Sequence, residues 1–256
     1  MHYLHPKIIS NTPIAADLFE LVLPWPTQTP APGQFATIRV SDATTPLLRR
    51  PFAFSGYSEE NHEARIIFQK RGPATELLAA KSAGEQLDLI GPLGNGFPLP
   101  PSGTKALLVA GGIGLGPVLF LAERIRSRGG EGEFIFGARS RTSVPRCESF
   151  TAARPVVCTD DGSEGYAGTV VDYLATLPAG DCESARLYCC GPTPMLRGCH
   201  VFAEAHGLEC FVSVEQVMAC GVGACMGCAV KINAEPGYAR ACTEGPVFNS
   251  RNLVWS

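Results

Sequence analysis

Nowhere in this 256-residue chain do apolar residues run on for the roughly 18–20 positions that a bilayer-spanning helix needs. No secretory leader is expected either. Residues 1–10, MHYLHPKIIS, lack the basic start, apolar middle and small-residue cleavage site of such a segment. The expected location is therefore the cytoplasm. Charged residues make up only 18% of the chain, and a formal net charge of −3 leaves no basic stripe for nucleic acid or an anionic membrane. There is no internal repeat, low-complexity tract or obvious flexible linker, and hydrophobic residues at 45% mark a globular rather than a disordered chain. The length suits one large domain or two ordinary ones with a sizeable core.

The hydrophobic pattern changes twice along the chain. Residues 1–100 hold short apolar-alternating runs broken by Pro and Gly, among them DLFELVLPWP, GQFATIRVS, EARIIFQKR and EQLDLIGPLG. Such runs predict a small antiparallel β-barrel or sandwich, with one helix over ATELLAAKSAG, residues 74–84. In residues 101–208, short apolar runs (KALLVAGG, EFIFGARS, RPVVCTDDG, ARLYCCGP) alternate with helix-period segments (GPVLFLAERIRSRGG, GTVVDYLATLP, MLRGCHVFAEAHG). That alternation predicts a parallel α/β sheet. Residues 209–256 are rich in Cys and Gly and have little room for a core of their own, so a metal is expected to hold them.

Cysteine, unlike charge, is plentiful: the chain has eleven. Disulfides are rare in a reducing compartment, so clustered thiols point to metal or redox work. Cys220, Cys225, Cys228 and Cys242 follow the pattern C-x4-C-x2-C-x13-C. Two irons need four thiolates, and this is the spacing of plant-type [2Fe–2S] proteins. Gly221, Gly223 and Gly227 let a tight loop bend around such a group and bring amide N–H groups near its sulfurs. A four-thiolate zinc site competes, although zinc sites more often show two C-x2-C-type pairs. Unligated thiols are the third reading. Cys147, Cys158, Cys182, Cys189, Cys199 and Cys210 are scattered and read as small buried hydrophobes.

Two glycine turns follow apolar runs. AGGIGLGP, residues 110–117, lies where a nucleotide pyrophosphate would meet a helix N-terminus, but Pro117 breaks the G-x-G-x-x-G fingerprint. CCGPTPML, residues 189–196, is the second, and it puts Cys190 at the mouth of the cleft that parallel strand ends would share. In LLRRPFAFSG, residues 47–56, an arginine in a fixed backbone setting suits a phosphate and Phe52 a flat ring. Each of these three, taken alone, also reads as an ordinary turn or strand cap.

Together they resemble the ferredoxin reductase-like flavoproteins. The carriers are RPFAFS, GPLGNGF (91–97), AGGIGLGP and CCGPTPM, in the family's order. More narrowly, ACGVGACMGC with ACTEGPVF (241–248) is similar to the electron-transfer subunits of class 1B dihydroorotate dehydrogenases. The resemblance implies an FAD-binding β-barrel, an NAD-binding α/β domain and a small C-terminal [2Fe–2S] domain. It implies FAD contacts from Arg50, Pro51, Phe52, Ala53, Ile67, Phe68, Gln69, Gly72, Ala74 and Thr75. The family usually has Ser or Thr at the position of Ala53, leaving its backbone N–H, or nearby Ser55, to serve the flavin N5. It places Gly112, Gly114, Gly116, Asp161 and Gly162 toward NAD and Cys190 near the nicotinamide, and makes Cys220, Cys225, Cys228 and Cys242 the iron ligands. It also implies an FMN-containing catalytic subunit as partner, in a heterotetramer of two of each, and a role in pyrimidine biosynthesis. Related reductases work with other partners or with NADP, and Arg139, Ser140 and Arg141 are the residues that bear on a 2′-phosphate. A zinc-stabilised binding module is the reading from another class.

Overall fold

The computed structural model describes residues 1–255 apart from Asp42; Ser256, the last residue of the expected C-terminal unit, lies outside the described residues. The first hundred residues form two four-stranded antiparallel sheets. One joins His2–Leu4, Asp88–Leu93, Phe35–Arg39 and Arg50–Ala53 in that order; the other joins Ser10–Pro13, Leu18–Pro24, Glu63–Gln69 and Gly56–Ser58. Among the described residues no continuous ladder closes them into the expected barrel. They enclose one core instead, because alternate residues of each strand turn inward. Leu21, Leu23, Ile38, Ile66, Phe68 and the edge-on pair Trp25–Phe54 fill it. The helix Pro73–Ala79, shorter than the sequence pattern suggests, adds Ala74 and Leu78 to the same core.

The expected parallel sheet is present. Its seven strands run in the order Tyr166–Ala167, Val156–Thr159, Gly132–Ala138, Ala106–Gly111, Arg186–Cys190, Glu209–Ser213 and Val247–Asn249. All neighbours are parallel except the last pair. Ala106–Gly111 is buried along its whole length, as helices on both faces require. Leu108 and Ala110 face one core and Leu107 and Val109 the other. Five of the scattered thiols, Cys158, Cys182, Cys189, Cys199 and Cys210, pack in the second core as hydrophobes.

The sheet does not end where the sequence pattern does. Glu209–Ser213 pairs with Arg186–Cys190, and Val247–Asn249 returns beside it. The cysteine segment is therefore an excursion between the edge strand Val247–Asn249 and its neighbour Glu209–Ser213. It carries a small ribbon, Ala229–Lys231 with Tyr238–Arg240. Its apolar residues are few, so it borrows Phe35 and Leu93 from the β half to complete a core around Met218, Cys228, Ala241 and Cys242.

The two halves interlock. Phe120, on the helix Leu115–Ser127, is buried in the β-domain core. Arg65 of the β half binds Glu123 of the same helix through one guanidinium nitrogen, at 2.7 and 2.6 Å. Burial holds the Glu123 carboxyl above the usual range, with Arg65 pulling the other way.

Gly114 opens that helix against the strand-end residue Cys190. A Cβ at Gly114 would overlap the Cys190 carbonyl, whereas at Gly112 it would meet open space. Gly112 has φ 53, however, so a side chain there is strained by its backbone alone. Gly112→Ala is therefore expected to cost about 1 kcal/mol. Gly114→Ala must push helix and strand apart and is expected to cost about 3 kcal/mol or more. Thermal unfolding midpoints of the two variants check this; equal midpoints would contradict the packing described.

Candidate functional site

A cleft opens where the three parts of the chain meet. The β half contributes Pro51, Phe52 and Ala53 from one strand and Ile67, Phe68 and Gln69 from another. The α/β half contributes Ile113, Pro117, Cys190 and Ser213, and Val214, Glu215 and Met218 close it ahead of the cysteine loop. Its volume is about 270 Å³. Apolar walls with a few convergent polar groups suit a planar ring system.

The two arginines at the start of this wall have different duties. Arg49 is held by both carboxylate oxygens of Asp88 at 2.7 and 2.8 Å. Arg50 donates only to the carbonyls of Leu48 at 2.8 Å and Arg49 at 3.5 Å, and no carboxylate lies within ion-pair distance of it among the described residues. The Arg50 guanidinium thus has no carboxylate counter-ion among the described residues and could meet an anion such as a phosphate. At the next turn, Thr75 is already engaged. Its hydroxyl accepts from the N–H groups of Arg71 (2.8 Å) and Gly72 (3.2 Å) and donates to the Gly72 carbonyl (3.0 Å). The Ala74 methyl is buried in the core. What this turn offers a phosphate is therefore backbone, with open space at Gly72. Ser55 lies outside the cleft lining and packs beneath Gly116, its hydroxyl buried without a partner. Ala53, in contrast, lines the cleft itself.

The order of the parallel strands changes direction between Ala106–Gly111 and Arg186–Cys190, and ligands of such sheets bind in the crevice outside the strand ends at that point. Gly112 stands open there, whereas Gly114 and Gly116 are consumed in packing against Cys190 and Ser55. Cys190 lies in this crevice and in the cleft. Burial, first, and the charge of Glu215, second, push its thiol up to about 12, while a hydrogen bond with Ser213 opposes them. It is a neutral, fixed group at physiological pH. Asp161 and Gly162 sit three strands away, about 14 Å across the sheet at normal strand spacing. Asp161 accepts from the Ser163 N–H at 3.0 Å and hydroxyl at 2.5 Å, and this pair holds its carboxyl below the usual range. These two belong to the far end of the crevice rather than to the Cys190 end.

The four cysteines of the terminal pattern come together as two pairs. Cys220 lies within hydrogen-bonding reach of Cys225, and Cys228 within reach of Cys242. No group of three or more His, Cys, Asp or Glu side chains is arranged to hold one metal ion among the described residues. Two irons need two thiolates each, and the approach of Cys220 to Cys225 and of Cys228 to Cys242 suits that demand. Backbone N–H groups, that of Val222 first, hold the Cys220 thiol low, at about 6. The Gly223 N–H donates to the Cys242 sulfur at 3.2 Å, and the Gly227 N–H to the Cys225 sulfur at 3.4 Å. Burial, first, and then contact with Cys228 push the Cys242 thiol up to about 11. Arg240 clamps the loop by donating to the Gly223 carbonyl at 2.8 Å while paired with Glu244.

Met218 and Phe35 line the cleft and also belong to the core around Cys228 and Cys242. Sequence reasoning passed over Met218, Ser213 and Glu215. The one available signal was their place in SVEQVMAC, directly ahead of Cys220.

Residues 215–254 match the family model described as the iron–sulfur cluster binding domain of dihydroorotate dehydrogenase B. The chain is 40% identical over 228 residues to the dihydroorotate dehydrogenase B (NAD(+)) electron transfer subunit of Bacillus caldolyticus, covering 87% of this chain and 86% of that one. The counterpart from Geobacillus thermodenitrificans is 37% identical over 253 residues, with 96% of each chain covered. Among solved structures, an NADH-dependent reduced ferredoxin-NADP oxidoreductase studied for flavin-based electron bifurcation superposes with a TM-score of 0.83 at 27% identity, over 98% of this chain and 90% of that one. Phthalate dioxygenase reductase, a modular structure for electron transfer from pyridine nucleotides to [2Fe-2S], shares the fold with a TM-score of 0.62 at 19% identity, over 91% and 87% of the chains. This chain belongs to the family of dihydroorotate dehydrogenase B electron transfer subunits.

Proposed function

We propose that this chain is the NAD+-reducing, electron-transfer subunit of a dihydroorotate-oxidising complex of pyrimidine biosynthesis. The observation that carries the reading is the shared wall: Met218 and Phe35 line the cleft and also belong to the core around Cys228 and Cys242. When bound, a [2Fe–2S] cluster exchanges single electrons, FAD exchanges one or two, and NAD takes up a hydride, so the flavin must stand between the other two.

The chain's own residues hold and orient these groups. Pro51, Phe52, Ala53, Ile67, Phe68 and Gln69 enclose the flavin ring, and Arg50 with the backbone at Gly72, Ala74 and Thr75 faces the FAD phosphates. Gly112 gives the nicotinamide nucleotide its close approach, with Gly114 and Gly116 fixing the turn and Asp161 and Gly162 at the distal end. Cys190, held by Ser213, fills the space beside the nicotinamide and moves no proton. Cys220, Cys225, Cys228 and Cys242 bind the irons.

The proposed division of labour follows the three segments 1–100, 101–208 and 209–256, the last lending two strands to the central sheet. The partner is an FMN-containing catalytic subunit, in a complex of two copies of each. It docks at the cysteine loop, where Cys225 is exposed and Val217, Val222 and Met226 are 82%, 40% and 53% exposed. Such apolar exposure around a polar loop marks a protein contact. No helix of the described residues is long and apolar enough to cross a membrane, in keeping with the proposed cytoplasmic location.

Replacing any one of Cys220, Cys225, Cys228 or Cys242 by Ser is expected to abolish or severely reduce iron and sulfide content while FAD remains at one per chain. Metal analysis and the visible spectrum read this out. A colourless protein with stoichiometric zinc would sink the proposal and support the binding module. Cys190→Ala is expected to slow flavin reduction by NADH about 10–100-fold through misplacement of the ring, with FAD and iron unchanged; stopped-flow absorbance measures it. NADH is expected to reduce the flavin and NADPH to fail. The opposite preference would favour a related reductase and give Arg139, Ser140 and Arg141 a role.

A further inference from the structure

Strand Phe35–Arg39 presents two different faces. Ala36 and Ile38 are buried in the β-domain core, whereas Phe35 joins the core around Cys228 and Cys242. Thr37 shares the face of Phe35 by the two-residue period of a strand. Its cross-strand neighbour Ile90 also packs against the cysteine core. The cysteine loop lies directly over Thr37: a Cβ on Gly221, the residue after Cys220, would stand 2.6 Å from the Thr37 methyl carbon. Gly221 has φ 71, which lets the loop come down this far. Thr37 is 2% exposed, and its hydroxyl oxygen has no hydrogen-bond partner. A buried hydroxyl without a partner is costly, and valine would fill the same volume without that cost.

We propose that the Thr37 hydroxyl, which reaches no cysteine sulfur, donates a hydrogen bond to an inorganic sulfide of the iron–sulfur group beneath the Cys220 end of the loop, and so helps set its reduction potential. The inference rests on the reading of the four cysteines as [2Fe–2S] ligands. Donors aimed at the sulfurs stabilise the reduced, more negative form and raise the potential. The Gly223 and Gly227 amides act from within the loop. Thr37 acts from the β half, on the strand that also gives the cleft its Phe35 wall. It tunes the group by that one hydrogen bond and takes no part in electron exchange.

The test is a redox titration of the full-length holoprotein, followed by EPR of the reduced cluster. Wild-type protein must first show two irons and two sulfides per chain; their absence sinks the cluster reading itself and the inference with it. Thr37→Val and Thr37→Ala are expected to keep iron and FAD but to lower the reduced-to-oxidised ratio about tenfold at fixed ambient potential, about 59 mV for a one-electron couple. Thr37→Ser, which keeps the hydroxyl, is expected to titrate with wild type. Unchanged potentials in both Val and Ala variants with intact iron overturn the inference. So does a Ser variant that shifts as far as Val, since loss of the methyl is then the cause. If Val and Ala fail to assemble a cluster while Ser assembles one of wild-type potential, the requirement for the hydroxyl stands. Failure of all three makes Thr37 a packing residue only and overturns it.

Discussion

A single packed wall holds this molecule's chemistry together. The cysteine excursion has too few apolar residues to fold alone, and it completes its core with Phe35 and Leu93 from the β half. Burial of those side chains is what brings the thiol pairs beside the cleft. A metal-binding loop tethered only by its own ribbon would be free to stand away from the flavin. Here the shared hydrophobic contact that stabilises the loop would, in the proposed relay, also fix the separation of the two redox sites, so that stability and electron transfer depend on the same side chains. Phe120 does the equivalent for the other junction, pinning the nucleotide-binding half to the β core.

Several features were legible from spacing alone. Four thiols at C-x4-C-x2-C-x13-C announce a cluster because ligand geometry demands that local spacing. The alternation of apolar runs and helical periods announces a parallel sheet for an equally local reason: each element must bury one face. The resemblance singles out Arg50, but the physical parting of Arg49 from Arg50 is not legible in the spacing, since adjacent arginines look alike until Asp88, thirty-nine residues away, is found to claim one of them. Thr75 is expected among the FAD contacts, and its spacing alone does not show that its hydroxyl is engaged by its own helix turn, which leaves backbone as what that turn offers.

The sheet edge shows the same limit from another side. ECFVS, residues 209–213, is too short to declare itself a strand, and the helical pattern before it suggests an ending. Only the pairing of Val247–Asn249 back onto it reveals that the cysteine segment is an excursion from the central sheet. Met218 and Thr37 were invisible for the same reason. Each is an unremarkable residue in sequence, and each gains its meaning from which side of a strand or loop it faces, which long-range packing decides.

Exposure across the four thiols gives the loop a direction. Cys225 is exposed, Cys220 half-buried, and Cys228 and Cys242 are buried against Met218. A site made only to hold a metal for stability gains by enclosing every ligand, because exposed thiolates are open to oxidation and exchange. This loop instead leaves one member of one pair at the surface, ringed by Val217, Val222 and Met226, and sinks the other pair into the wall shared with the cleft. In the proposed relay the outward pair would face the docking partner and the inward pair the flavin. That polarity is what a relay requires, and the Gly223 and Gly227 amides, the Arg240 clamp and the Thr37 face are the means by which an otherwise glycine-rich loop is held to it.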